Sequence, residues 1–281
     1  MPTEPVPGDP RQSRQMARQR AITAAVVAEG SVRIEELAER FDISLMTVHR
    51  DLDELESRAI LRKTRGAATA LPTSLVESSD VYRLSQQGVE KEALALAAMQ
   101  FVEPGQAVFL DDSTTVLRMA RHLPARVPIT IITNALTLMG ELRTTRGITL
   151  LGLGGHYYNW CNAFMGPMTV QTIASLRADT LIMSTSAITN DVAFHQFPET
   201  IETKRAMFDA ANKRILLADH TKFERQALHA LAPLKDFDTV IVDDRTPDEH
   251  IARMRSHGIV VAVTTTPATA RACGAKNGGR T

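Results

Sequence analysis

The sequence predicts an α/β chain in two parts: an N-terminal winged helix-turn-helix joined to a larger doubly wound, mostly parallel α/β domain. Three observations carry that expectation. Residues 34–53 read as two short helices around a tight turn, and a short, basic, β-compatible stretch follows them. From residue 107 onward, Val/Ile/Leu-rich runs alternate with helix-compatible segments. Those runs are continuously apolar, as strands buried on both faces of a parallel sheet are. A length of 281 residues allows two cores, and 44% apolar with 23% charged residues is ordinary globular composition.

The elements follow in order. Residues 1–12 are Pro-rich and polar, a disordered lead-in with no signal-peptide core. A helix spans Ser13 to Glu29, with Ile22 and Val26 on its apolar face, and Gly30 ends it. The next helix places Ile34, Leu37, Ala38 and Phe41 on one buried stripe. Asp42-Ile43-Ser44 breaks the pattern, and Ser44 is a good N-cap because its hydroxyl can accept from the free amides of the following turn. The helix after it buries Val48, Leu52 and Leu55, leaving Met46, Thr47, His49 and Arg50 on or near the outer face. Such a helix fits a DNA major groove. Residues 59–68 read as a basic β-hairpin, the wing, with Gly66 at its turn. Residues 11–65 hold eleven basic and nine acidic side chains, and the basic ones gather at 11–20 and 58–65. Arg58, Arg62, Lys63 and Arg65 are therefore candidate phosphate contacts, which supply affinity while base-edge contacts supply sequence choice. The DNA-binding domain is 13–68.

Residues 69–80 read as a linker, and 81–266 as the second domain. A helix from Tyr82 to Phe101 is expected to turn Val89, Ala93, Leu96 and Ala97 toward the core. Strands are expected at Ala107–Leu110, Ile129–Thr133, Ile148–Gly152, Thr180–Ser184, Arg214–Ala218, Thr239–Val242 and Ile259–Val263. Helices are expected at 115–122, 135–143, 167–177, 200–212 and 247–257. The tail 267–281 is small, polar and expected to be disordered.

In an open sheet of this kind ligands bind where strands end and helices begin. Asp111, Ser113, Thr114 and Thr115 put hydroxyls and amides at one such junction, the cradle an anion uses. Thr133 and Asn134 end the next strand, and Gly154 and Gly155 follow the third. Lys204 and Lys222 supply positive charge. Singly, each has a plainer reading: a helix cap, a turn or a surface lysine. Together they fall on one edge of one sheet.

Arg18-x3-Ile22-x3-Val26, followed by Ser44-x2-Thr47-Val48-His49-Arg50-Asp51-Leu52, resembles the helix-turn-helix signature of the DeoR family. Phe109-Leu110-Asp111, Thr133-Asn134, Gly154-Gly155, Gly166-Pro167, Lys204-Arg205-Ala206-Met207 and Leu217 to Phe223 resemble, in the same order, that family's C-terminal sensor domain, a relative of sugar-phosphate isomerases. The resemblance covers about 13 to 265. It implies a repressor that binds double-stranded operator DNA, senses a phosphorylated sugar and forms a homodimer or homotetramer. Ser113 departs from the pattern, standing where the family has glycine, and its Cβ narrows the loop.

The alternative is a sugar-phosphate isomerase-like enzyme with a vestigial N-terminal domain. Isomerases of this fold carry several acids after the central strand, whereas residues 184–191 hold only Asp191, so binding without turnover is expected. Cys161 and Cys273 fit no disulfide or metal spacing, and no cofactor is expected. Net charge is zero, so nucleic-acid binding has to be local. No apolar run is long enough for a membrane helix, and the expected location is the cytoplasm.

Overall fold

The computed structural model describes residues 10–58, 60–70 and 79–266. The lead-in before residue 10, most of the 69–80 linker and the 267–281 tail lie outside the described residues. The chain divides into two compact units. One holds the described residues through Gln86 together with Asn159–Cys161; the other holds Gln87–Tyr158 and the residues from Asn162 onward.

The first unit contains α1 (Pro10–Glu29), β1 (Ser31–Arg33), α2 (Ile34–Arg40), α3 (Leu45–Ser57), β2 (Leu61–Thr64), β3 (Ala67–Ala70) and α4 (Asp80–Ser85). Ile22, Val26, Leu37, Val48, Leu52, Leu55, Ile60 and Leu61 form its core. Burying a Val, Leu or Ile side chain contributes about 1.5–3 kcal/mol, so these few residues dominate the stability of the unit. β2 and β3 form the expected wing around Gly66, whose φ of +76° suits a residue without Cβ. Two details differ from expectation. α1 begins at Pro10 rather than Ser13. Ser31–Arg33, between the two helices expected around it, is a strand, pairing Val32 with Ala68 to complete a three-stranded sheet of order β1-β3-β2. Three residues are too few to show a period, and the partner that makes them a strand lies more than 30 residues away.

The second unit runs α5 (Gly88–Ala98), β4 (Ala107–Leu110), α6 (Thr114–Leu117), β5 (Ile129–Thr133), α7 (Leu136–Leu142) and β6 (Ile148–Gly152). It continues with β7 (His156–Tyr158), β8 (Ala163–Met165), α8 (Pro167–Ala174), β9 (Ala178–Ser184), β10 (Ala187–Thr189) and β11 (Val192–His195). It ends with α9 (Pro198–Asp209), β12 (Ala211–Ala218), β13 (His229–Pro233), β14 (Thr239–Asp243), α10 (Asp248–Ser256) and β15 (Val261–Thr264). Seven strands form a parallel sheet in the order β15-β14-β12-β9-β4-β5-β6. Alternate residues along each strand serve two cores. Phe109, Leu181, Met183 and Leu216 pack with Ile173 of α8, Met207 of α9 and Met254 of α10. Val108, Leu110, Ile131 and Ile182 pack on the other side with Leu94 of α5 and Leu138 of α7. The sheet is therefore covered on both faces, as its continuous apolar runs require. Strand order reverses between β4 and β9, and in open sheets of this kind ligands bind outside the carboxyl ends of the strands at such a point.

The expected helix 82–101 is broken. Gln87 adopts a left-handed φ of +51° between α4 and α5. Ala93 is buried and Ala97 partly buried, as expected, and Lys91, Leu94, Ala95 and Ala98 join the inner face of α5, while Val89 and Leu96 face outward. β7, β8, β10, β11 and β13 are additional strands in two small antiparallel sheets, missed because each has only three to five residues, too few to show a period.

Candidate functional site

In the first unit α3 presents the candidate DNA-reading surface. Ser44 caps it as expected, its Oγ accepting from the Thr47 amide at 3.2 Å. Val48, Leu52 and Leu55 are fully buried, which forces the opposite stripe outward. Met46, His49 and Arg50 are exposed, and Thr47 is half-buried with its hydroxyl 2.9 Å from that of Ser44. Asp51 lies on the buried side. Its carboxylate accepts from Nε and Nη2 of Arg18, the second at 3.1 Å, and from Gln19 Nε2 at 3.4 Å. This ion pair links α1 to α3 and accounts physically for an Arg and an Asp in one signature. The Asp51 hydrogen bond, opposed by partial burial, holds the Arg18 guanidinium protonated beyond its ordinary range.

The basic candidates divide into two kinds. Arg58 donates to Glu54 Oε1 at 3.0 and 2.7 Å, and Lys63 donates to Asp53 Oδ1. Their charges are partly neutralised within the fold. Arg62 and Arg65 on the wing are exposed and form no ion pair among the described residues. Arg14, absent from the sequence-based set, joins Arg18 and Arg50 around a shallow basin beside α3. It was visible only as one charge among the basic residues at 11–20.

In the second unit the carboxyl edge of the parallel sheet gathers the other candidates. Register pairs Leu110 with both Thr133 and Ile182, and Thr133 with Gly152, so the residues just beyond these positions share one edge. Asp111 is buried. Its Oδ1 accepts from the Ser113 amide at 3.0 Å, and its Oδ2 accepts from the Ser184 amide at 3.0 Å and from Lys204 Nζ. Lys204 Nζ also reaches Ser184 O at 3.3 Å and Asp112 Oδ1 at 3.5 Å. Two carboxylates thus surround Lys204, so it braces the β4 and β9 loops more than it offers charge.

Several hydroxyls here are already engaged. Ser113 Oγ accepts from the Val116 amide at 3.2 Å and caps α6, and Thr133 Oγ1 accepts from the Ala135 amide at 3.1 Å, closing the turn that leads into α7. Thr114 and Thr115 are buried. Asn134 donates Nδ2 to Phe164 O at 3.0 Å, while its Oδ1 is buried with no hydrogen-bond partner among the described residues. Such an acceptor is costly unless a donor reaches it. At Gly155, a Cβ would lie 2.0 Å from Thr169 Oγ1 and 2.9 Å from Met165 O at a φ of +149°, so close packing against α8 requires glycine. Gly154 has open space, and its carbonyl accepts from Thr169 Oγ1 at 2.7 Å.

Positive charge collects at the end of β12. Lys222 is buried, with Nζ 3.8 Å from Asp219 Oδ2. Burial pushes the Asp219 carboxyl up, but Lys222, the Thr221 hydrogen bond, Lys91 and Arg225 together hold it below the usual carboxylate range. Lys91 is also buried, on the inner stripe of α5. Lys91 is not among the site residues expected from the sequence. The signal was a lysine in step with Leu94, Ala95 and Ala98 on an apolar stripe.

Asp191, the one candidate base, sits in the β10–β11 turn at a φ of +58° and is bound by Arg253 at 3.0 Å and His257 at 2.7 Å. These partners lie at the far end of α10, which runs from the carboxyl edge back toward the start of β15. Asp191 is therefore held by partners at the end of α10 and, among the described residues, by none of the lysines of the sheet edge.

Comparison with known proteins gives the same two parts. Residues 18–73 match the DeoR-like helix-turn-helix domain, and residues 86–244 match the DeoR C terminal sensor domain. The chain is 31% identical over 231 residues to the transcriptional repressor AccR of Agrobacterium fabrum, covering 82% of this chain and 90% of that protein. It is 30% identical over 237 residues to a lactose phosphotransferase system repressor of Lactococcus lactis, covering 83% and 92%. It is 29% identical over 247 residues to the glycerol-3-phosphate regulon repressor of Escherichia coli K12, covering 88% and 98%. Among solved structures, ribose 5-phosphate isomerase A of Methanocaldococcus jannaschii aligns at a TM-score of 0.36 and 15% identity, covering 50% of this chain and 55% of that one, too slight a likeness to bear on function. With both the helix-turn-helix and the sensor domain matched, and relatives at about 30% identity over most of its length, the chain belongs to the DeoR family of transcriptional regulators.

Proposed function

We propose that the protein is a transcriptional repressor whose operator affinity is set by a phosphorylated sugar bound at the carboxyl edge of its parallel sheet. α3 enters the major groove with Met46, His49 and Arg50, while Arg62 and Arg65 on the wing take phosphates. Ser44, Thr47, Arg58 and Lys63 stand behind these contacts, shaping or partly neutralising the surface. The observation that supports the sensor reading is that the same carboxyl edge of the sheet carries buried lysines beside the end of β12 and a buried, unpartnered acceptor just beyond β5. Lys91 and Lys222 favour an anion, and Asn134 Oδ1 awaits a donor such as a sugar hydroxyl. Asp111, Ser113, Thr114, Thr115, Lys204 and Gly155 hold the loops that shape this edge.

Regulation follows as a population shift. The effector binds one arrangement of the protein better than another, and the favoured arrangement spaces paired DNA heads wrongly for the operator half-sites. Paired heads imply a homodimer or homotetramer. Turnover is not part of this reading, because Asp191, the one acid in 184–191, is tied into ion pairs with Arg253 and His257. Calorimetric titration with phosphorylated sugars tests the site: binding by the wild type, lost in Lys222→Met and weakened in Asn134→Ala, supports it. Equal binding by all three proteins contradicts it.

A further inference from the structure

α3 carries an apolar side chain that the fold does not use. Met46 is 82% exposed, the most exposed large apolar side chain among the described residues, and it lies in the first turn of the helix. Its place is set by the buried stripe of Val48, Leu52 and Leu55, which points residues 46 and 50 to the opposite side. At a separation of four residues, Met46 and Arg50 share one outward stripe. The next position on that stripe, Asp53, is taken up by Lys63. Thr47 is a poor apolar reader, because it is half-buried and its hydroxyl faces that of Ser44.

We infer that Met46 reads a thymine methyl group in the major groove, within about two base pairs of the base that Arg50 contacts. The inference rests on α3 being the operator-reading helix and adds what that helix reads. A thioether side chain has no donor and only a weak acceptor, so it cannot answer the hydrogen-bonding edges of guanine, adenine or cytosine. Thymine alone offers an apolar group there, its C5 methyl. Met is flexible enough to follow that methyl without a rigid pocket. The spacing comes from helix geometry: four residues advance about 6 Å along the axis, and base pairs are about 3.4 Å apart. Arg50, one turn farther along, suits the two acceptors of guanine.

The test uses the full-length protein and a random-sequence DNA library. Wild type and Met46→Ala are each taken through rounds of selection, and uracil then replaces the selected thymine in the wild-type motif. The wild type is expected to select a thymine within two base pairs of a guanine in each half-site. Removing its methyl weakens wild-type binding about fourfold per half-site. Met46→Ala loses the thymine preference and binds uracil- and thymine-containing sites equally. Its thermal midpoint stays close to that of the wild type, because the side chain is 82% exposed and belongs to none of the buried clusters among the described residues. A wild-type motif indifferent to the uracil exchange, or a Met46→Ala protein that keeps the thymine preference, overturns the inference while leaving the operator-reading helix in place. If the wild type selects no motif, the assignment of that helix fails and the inference with it.

Discussion

The ion pair between Arg18 and Asp51 holds the DNA-reading helix against α1, and Arg18→Ala isolates its contribution. Asp51 has no exposed side-chain surface, whereas Arg18 keeps 22% of its own. Truncating Arg18 leaves a buried carboxylate whose remaining side-chain hydrogen bond is to Gln19 at 3.4 Å. Removing one partner of a fully buried pair costs about 3–5 kcal/mol, and the access water has to Arg18 puts this case at the lower end, about 3 kcal/mol. For a unit of this size each kcal/mol lowers the melting temperature by about 4–8 °C, so the first unit should melt about 12–24 °C earlier. Differential scanning calorimetry of the full-length protein reads this directly, with the second unit's transition as an internal control. The double variant Arg18→Leu/Asp51→Leu should recover most of the loss, because it leaves no orphaned charge. A loss below about 1 kcal/mol in Arg18→Ala, or a double variant no more stable than the single, would refute the reasoning.

Other outcomes follow from the same geometry. Gly155→Ala should destabilise the second unit by about 3 kcal/mol through overpacking against Thr169 and Met165 in a left-handed backbone, whereas Gly154→Ala, with open space, should cost far less; equal thermal shifts would contradict this. Arg62→Ala and Arg65→Ala should each reduce the salt slope of DNA binding by about one, and Lys63→Ala by less because Asp53 already holds it; a slope most sensitive to Lys63 would reverse that ranking. Arg50→Ala should relax operator selectivity by about 1–3 kcal/mol in competition binding, and unchanged selectivity would displace Arg50 from the groove. The Asp219 carboxyl is depressed in the folded state, so its stabilising contribution is fully present above the unfolded value near 4 and is lost as pH falls through the lower folded value. Lys222→Met removes an opposing charge, so the melting-temperature gap between wild type and variant should be widest near neutral pH and narrow below about pH 4; a gap independent of pH would contradict the assignment.

The frame of the fold was legible where one local rule decided it. The strands at 107–110, 129–133 and 148–152 stand where their apolar runs predicted. Ser44 caps α3 because its hydroxyl lies three residues before a free amide, a strictly local relation. β1 was invisible because its partner β3 is remote in sequence, and the break at Gln87 because nothing about a glutamine signals a positive φ. The candidate sites divide in the same way. Residue type and position placed Asp111, Asn134 and Lys222 on one edge. Only packing shows that Lys204 lies between two carboxylates, that Thr169 leaves no room for a Cβ at Gly155, and that Lys63 is turned toward Asp53. Partner choice among charges is a tertiary property that spacing along the chain does not carry.

A mobility-shift titration of the full-length protein on its own gene's upstream DNA, with and without a panel of sugar phosphates, tests the central claim most directly. One phosphorylated sugar should release the shifted DNA, and the same sugar should fail to release it from Lys222→Met, whose binding without sugar stays intact. Binding that no sugar phosphate alters, or release that persists in Lys222→Met, would contradict the account.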